Sequence, residues 1–169
     1  MKRQALKCPE CDRRYLQPAI TELTGTTRGE AFAIPSDALL CPNCGFKTIP
    51  VEKMGEFALR VSDAYREKYH LLTSSQMQDR RLGLGMSQQQ FADYLGVGSS
   101  SVKRWELGQI QDQAMNNLMI LKTDLDAARE NVIEVSTRLK QASLGTRTTM
   151  GAFGRAVSRK DKYAVRRTK

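Results

Sequence analysis

Between residues 86 and 108 the apolar residues Met86, Phe91, Ala92, Leu95, Val102 and Trp105 fall at helical intervals, with mostly polar residues between them. That pattern predicts two short helices joined by a tight turn. Ser87 stands three residues before Gln90, the capping-box spacing, and Met86 and Phe91 are placed to close a hydrophobic staple over it. Gly96 stops the first helix. The second covers residues 99–107 and ends at Gly108, with Val102 and Trp105 turned inward and Ser99, Ser100, Lys103 and Arg104 turned outward. A preceding helix is expected over residues 75–82, opened by Gly83 and Gly85. Residues 51–72 carry Met54, Phe57, Val61, Ala64, Tyr65 and Leu72 at three- and four-residue steps, which predicts an amphipathic bridging helix with a weak point at Gly55. His70, at its end among polar residues, reads as a solvated helix-end side chain.

Downstream, Leu118, Leu125, Val132 and Leu139 recur every seven residues, and so do Leu121, Ala128, Val135 and Ala142. Together they form an a/d seam on one long helix expected over residues 118–145. Leu118 and Leu121 could equally complete the core of the preceding domain. The later six have nothing left to pack on, so the stripe requires a partner. A second copy of the chain is the simplest one, with Asp124 facing Arg129 of the mate; a fold-back or a different protein are the other options.

All four cysteines fall near the N-terminus, as Cys8-Pro-Glu-Cys11 and Cys41-Pro-Asn-Cys44-Gly45. Each pair can set two thiolates on one metal, and two pairs complete a tetrahedral site that suits one structural Zn2+ per chain. Gly45 lets the backbone turn beneath the sulfurs. The roughly 29 residues between the pairs exceed the 15–20 of a compact ribbon, and we read the surplus as a β-excursion. Tyr15, Ile20, Phe32, Ile34 and Leu39 are too few for an independent core, which makes the metal the expected source of stability. Four thiolates leave no open position for catalysis, and a redox pair would need only one Cys-x-x-Cys in a strand–helix setting.

Charge narrows the function classes. The formal net charge is +9 in 169 residues, which favours a polyanionic partner. Much of it lies after residue 143, where Arg147, Arg155, Arg159, Lys160, Lys162, Arg166, Arg167 and Lys169 face only Asp161. Residues 146–169 therefore read as a basic, disordered tail, suited to phosphate contacts or to docking another protein. A polar helix with serines at its start and an arginine one turn later suits a DNA major groove, so Ser99, Ser100, Lys103 and Arg104 are the expected base readers. Gln88 and Gln89, at a helix start, are the expected phosphate contacts. No apolar run is long enough to cross a bilayer and none resembles a signal peptide, so a reducing cytoplasm is expected. No nucleophile–base set, carboxylate pair or phosphate-cradling loop suggests an enzyme.

Taken in order, the chain reads as a zinc-binding module (1–50), a bridging helix (51–72), a helix-turn-helix domain (73–117), a long heptad-patterned helix (118–145) and a basic tail (146–169). It is mainly α with a small N-terminal β module of zinc-ribbon type. The two Cys-x-x-Cys pairs, followed by Met86-Ser87-Gln88, Phe91-Ala92, Leu95-Gly96 and Arg104-Trp105-Glu106-x-Gly108, resemble the MqsA (YgiT-type) antitoxin family over roughly residues 5–125. The later motifs alone resemble the broad Xre/Cro repressor group. The MqsA resemblance implies a dimeric repressor of its own operon, whose zinc module neutralises a cognate toxin, an mRNA-cleaving ribonuclease. Arg104 matches a base-reading arginine of that family, whereas Ser100 stands where its best-known members carry asparagine. The extension beyond the usual end implies a SecB-like chaperone as a further partner in some such antitoxins. The alternative is a regulator of a phage or mobile element whose zinc module binds another protein.

Overall fold

A computed structural model describes residues 6–149, with side chains through residue 143. Contacts divide the chain after Asp124 into two units. The architecture is mainly helical with one small antiparallel sheet, as the sequence pattern indicates.

In the first unit, β1 (Gln17–Thr27) and β2 (Glu30–Leu40), 11 residues each, form a hairpin, and the two-residue β3 (Lys47–Thr48) adds to the end of β2. The hairpin loop is Arg28-Gly29, with φ of +48° and +81°. Positive φ at both positions is the turn whose twist matches paired strands. The β-excursion between the cysteine pairs is thus a regular hairpin, and its core differs from the one expected. Ile20 is 80% exposed and Tyr15 56% exposed. The opposite face of the hairpin, with Gly25, Ile34, Ser36 and Ala38, is the buried one. It is covered by α1 (Met54–Lys68), which follows a single 3-10 turn at Val51–Lys53. A side chain at Gly25 would place its Cβ 2.3 Å from Val61 Cγ2, so strand and helix meet backbone against side chain there. Phe32 adds an edge contact to Tyr65. Apolar packing on α1 therefore shares with any metal the task of holding the hairpin, and this helix, within the segment read as a bridge, forms one wall of the unit.

Four helices complete this unit: α2 (Ser74–Gly83), α3 (Gln88–Leu95), α4 (Ser99–Glu106) and α5 (Gln113–Thr123). Thr73 and Gln76 form a capping box at the start of α2, and Ser87 and Gln90 form one at the start of α3. The core gathers Leu72, Met77, Phe91, Ala92, Leu95, Val102, Trp105 and Met119, with Met86, Val97, Met115 and Ile120 packed against it.

The long helix expected from residue 118 does not form as one piece. At Asp124 the backbone is extended (φ −122°, ψ 115°). Arg80 on α2 donates to Thr123 Oγ1 at 3.0 Å and to Asp124 Oδ2 at 3.3 Å, pinning the chain to the core at this point. Asn116 and Met119 supply the buried side of α5, whereas Leu118 is half-buried and Leu121 is 37% exposed. The second unit is α6 (Leu125–Thr149), whose last residues occupy the start of the expected tail. The eight heptad positions are therefore divided, with Leu118 and Leu121 on α5 and the other six on α6. Within one chain Asp124, expected to face Arg129 of a second copy, accepts from Arg80, and Arg129 donates to Asp126. Residues 150–169, with the basic tail and the contacts expected of it, lie outside the described residues.

Candidate nucleic-acid interface and metal centre

Local sequence holds α4 in a defined attitude. The Ser87 hydroxyl accepts the Gln90 amide at 3.2 Å, the Gln90 side chain accepts the Ser87 amide at 2.9 Å, and Gly96 ends α3 in the left-handed region (φ +81°). One turn of chain later, α4 starts after Gly98. Val102 and Trp105, 2% and 9% exposed, anchor its inner side. Ser100, Lys103 and Arg104 are exposed and Ser99 is half-buried, so the polar face read from the sequence is the face presented to solvent. The two glutamines behave differently from each other. Gln89 is exposed and donates to Asp93, whereas Gln88 is half-buried and its side-chain amide donates to Glu106 at 2.8 Å.

Glu106 is the anchor of a contact not anticipated from the sequence. Arg81 on α2 grips it through two bonds, Nε to Oε1 at 2.6 Å and Nη2 to Oε2 at 3.1 Å. A third bond runs from Arg81 Nη1 to the Met86 carbonyl at 3.0 Å. This bidentate geometry ties the C-terminal end of α4 to α2, and the bond from Gln88 ties it to α3. One signal was available: an acid in the last turn of a helix opposes the helix dipole unless a cation meets it.

Arg66 on α1 is the second residue missed. It is wholly buried, and its guanidinium donates to Gln111 Oε1 (3.1 Å), Asp63 Oδ1 (2.6 Å) and the carbonyls of Trp105 and Gln109 (2.8 Å each). Burial pulls its pKa down from the usual guanidinium value, and the bond to Asp63 pushes it back up. Asp63 also accepts the Ser74 amide at 2.9 Å, and Gln111 donates to the Leu72 carbonyl at 2.8 Å. The network joins α1, α2, α4 and the loop before α5. Nothing in the periodicity of residues 51–72 distinguished Arg66 from a solvated arginine.

The four cysteines come together at the base of the hairpin. Their Sγ atoms all lie within 4.8 Å of one another, with Cys8–Cys44 at 3.5 Å and Cys11–Cys41 at 3.6 Å. Sulfurs bound to one tetrahedral metal at about 2.3 Å would lie about 3.8 Å apart. Each pair forms the same knuckle. The Asp12 amide donates to the Cys8 carbonyl and the Gly45 amide to the Cys41 carbonyl, both at 3.0 Å, with Asp12 and Gly45 at positive φ (+49° and +75°). Only Gly45 was legible as a turn residue; Asp12 is its counterpart. The Arg13 amide draws the Cys11 thiol down to about 6, and the Cys44 amide lowers Cys41. At Cys44 the Phe46 amide also pulls down, but burial and the neighbouring sulfurs push the thiol up to about 12. A bound cation would relieve that crowding, and the donor set could hold one metal ion.

A family model described as helix-turn-helix matches residues 77–119. These residues form a helix-turn-helix DNA-binding domain. No curated protein matches the chain. The match spans α2 to α5, so the clamped and exposed α4 is the element that such a helix-turn-helix presents to duplex DNA. Arg81 and Glu106 lie inside the matched segment; Arg66 and the cysteine module lie outside it. Among the described residues, no helix is long and apolar enough to cross a membrane.

Proposed function

We propose that the chain is a sequence-specific transcriptional repressor and a type II antitoxin of the MqsA type. It binds its own promoter as a dimer through the helix-turn-helix, and it binds a toxin, an mRNA-cleaving ribonuclease, through the cysteine module. The observation that carries the DNA-binding half is the solvent-facing set Ser100, Lys103 and Arg104 on a helix whose C-terminal end is clamped through Glu106. Arginine can take two bonds to guanine, lysine adds charge, and serine can bond a base edge or a phosphate. The exposed Gln89 and the first-turn amides of α3 supply phosphate contacts at the positive end of a helix. Cys8, Cys11, Cys41 and Cys44 hold a structural Zn2+, which four thiolates favour.

The order of modules supports the antitoxin half. The outward face of the hairpin offers a partner Ile20, and the 3-10 turn before α1 offers Val51, 80% and 82% exposed. Ile20 lines a cleft with Pro18, Leu39 and Pro50. The dimer rests on α6, where Leu125, Val132, Val135 and Leu139 are all exposed along one stripe.

The test has two arms. The full chain should enrich one duplex from a random library and bind it in preference to a scrambled duplex. Co-expression with the product of the adjacent reading frame should neutralise that product's toxicity and yield a complex. Recovery of no preferred duplex would overturn the repressor reading, and a harmless neighbour that does not bind would overturn the antitoxin reading.

A further inference from the structure

The loop that leaves α4 is held by two arginines from outside the matched domain. Arg66 of α1 donates to the Gln109 carbonyl at 2.8 Å, and Arg28, at the hairpin tip, donates to the next carbonyl, Ile110, at 3.1 Å. Arg66 also takes the Trp105 carbonyl, in the last turn of α4, where a positive charge complements the helix dipole. From these contacts we infer that Arg66 is a positioning residue for the DNA-reading helix, and that Arg28 ties the cysteine-held hairpin to the same joint. Metal bound at the cysteines then strengthens sequence-specific DNA binding. This rests on the DNA-binding reading above.

The path between the two sites is contiguous. The strands descending from the Arg28-Gly29 turn lie between the two cysteine pairs in the chain, so the metal closes the base of the hairpin whose tip carries Arg28. Arg28 lies over the Tyr65 ring at 5.4 Å, one residue before Arg66. Lys68 and Tyr69 both donate to Glu30 on the other side of the turn. Further down, Gly25 packs on Val61, five residues before Arg66 on the same helix. A shift of the hairpin therefore removes one hold on the loop and moves the helix that supplies the other. Gln111, next in the loop, is 1% exposed and bonds both Arg66 and Leu72, so the loop has little freedom to absorb the change.

Full-length protein is compared as the zinc-loaded form and after treatment with a chelator. Fluorescence anisotropy then measures binding to the duplex the wild type selects and to a scrambled duplex. Chelation should weaken binding to the selected duplex by about tenfold, within the usual range of coupling between sites, while the scrambled duplex changes far less. Arg28→Ala, a change at an exposed contact, should lower selected-duplex affinity in the zinc form and reduce the effect of chelation to within about twofold. Arg66→Lys keeps the charge but cannot bridge the same carbonyls, and should lower the ratio of selected to scrambled affinity; Arg66→Ala should not exceed it. Equal zinc dependence in wild type and Arg28→Ala, or an unchanged ratio in Arg66→Lys, would overturn the coupling. Failure of the wild type to select any duplex would instead overturn DNA recognition itself.

Discussion

Arg81 and Glu106 face each other across the helix-turn-helix with both side chains only 8% exposed. The pair connects α2 to the last residue of α4, and Gln88 joins it from α3. Removing one member leaves a buried charge without its counter-ion, a change that costs about 3–5 kcal/mol. Arg81→Ala should therefore lower the thermal midpoint sharply. The pair Arg81→Met with Glu106→Leu should recover much of that loss, because neither charge is then stranded. A single variant as stable as wild type would show that the ion pair does not hold the helix.

The contact between Gly25 and Val61 leads to an opposite kind of test. Alanine is ordinarily harmless or helpful in place of glycine in a strand. Here the added carbon would sit 2.3 Å from Val61 Cγ2 and 3.1 Å from the Phe57 ring. Gly25→Ala should destabilise by about 1–3 kcal/mol through overpacking. Val61→Ala in the same chain should relieve part of the loss, giving a non-additive double-mutant cycle in chemical denaturation. Strict additivity would mean that α1 does not lie against β1 in solution.

These two contacts also mark where the sequence stopped being readable. Ser87, Gln90 and Gly96 act on residues a few positions away, so the caps and the turn of the helix-turn-helix could be placed from local chemistry. The knuckles were legible for the same reason, since two cysteines three apart report their own geometry. Gly25 against Val61, Arg28 against Ile110 and Arg66 against Trp105 join residues dozens of positions apart. No periodicity encodes such pairs, and each residue alone looks like an ordinary strand glycine or surface arginine. The break at Asp124 leaves no mark on the periodicity, because heptad spacing runs through it unbroken. Arg80 overrides that local pattern from a different helix.

Glu30 gives the hairpin tip a pH dependence with a definite sign. Hydrogen bonds from Lys68 and then Tyr69 hold its carboxyl below the ordinary 4.5. A depressed folded-state pKa contributes stability that is complete above the unfolded value and fades as pH falls through the folded one. Tip docking should thus be unaffected near neutrality and weaken below about pH 4.5. Glu30→Gln should show a lower midpoint at neutral pH and a shallower decline in acid than wild type. The effect will be small because the ion pair lies at the surface, with the Lys68 side chain 55% exposed. Thermal melts across the acid range measure it, and parallel acid limbs would count against the contact.

The apolar stripe of α6 bears on oligomeric state. Leu125, Val132 and Leu139 are 66%, 63% and 66% exposed, and Val135 is 46% exposed. If two copies pair there, Val132→Asp combined with Leu139→Asp buries charge in the seam and should shift sedimentation from dimer to monomer. DNA affinity should fall with it, because half-sites are no longer read together. A wild type that sediments as a monomer would remove the seam, and a double variant that stays dimeric would move the interface elsewhere.

Arg104 is the sharpest test of recognition. It is exposed on α4, whereas neighbouring Trp105 is buried and Glu106 is clamped, so its replacement should leave the fold intact. If it reads a base, Arg104→Ala should cost about 1–3 kcal/mol on the selected duplex and relax preference at one or two adjacent positions. Lys103→Ala, if its charge meets phosphate, should weaken all duplexes alike and lower the salt slope by about one. Binding titrations at several salt concentrations, on the selected duplex and its single-base variants, separate these two signatures. An Arg104→Ala protein that keeps its base preferences while its salt slope falls would place Arg104 on the phosphate backbone and leave base reading to Ser99, Ser100 and Lys103.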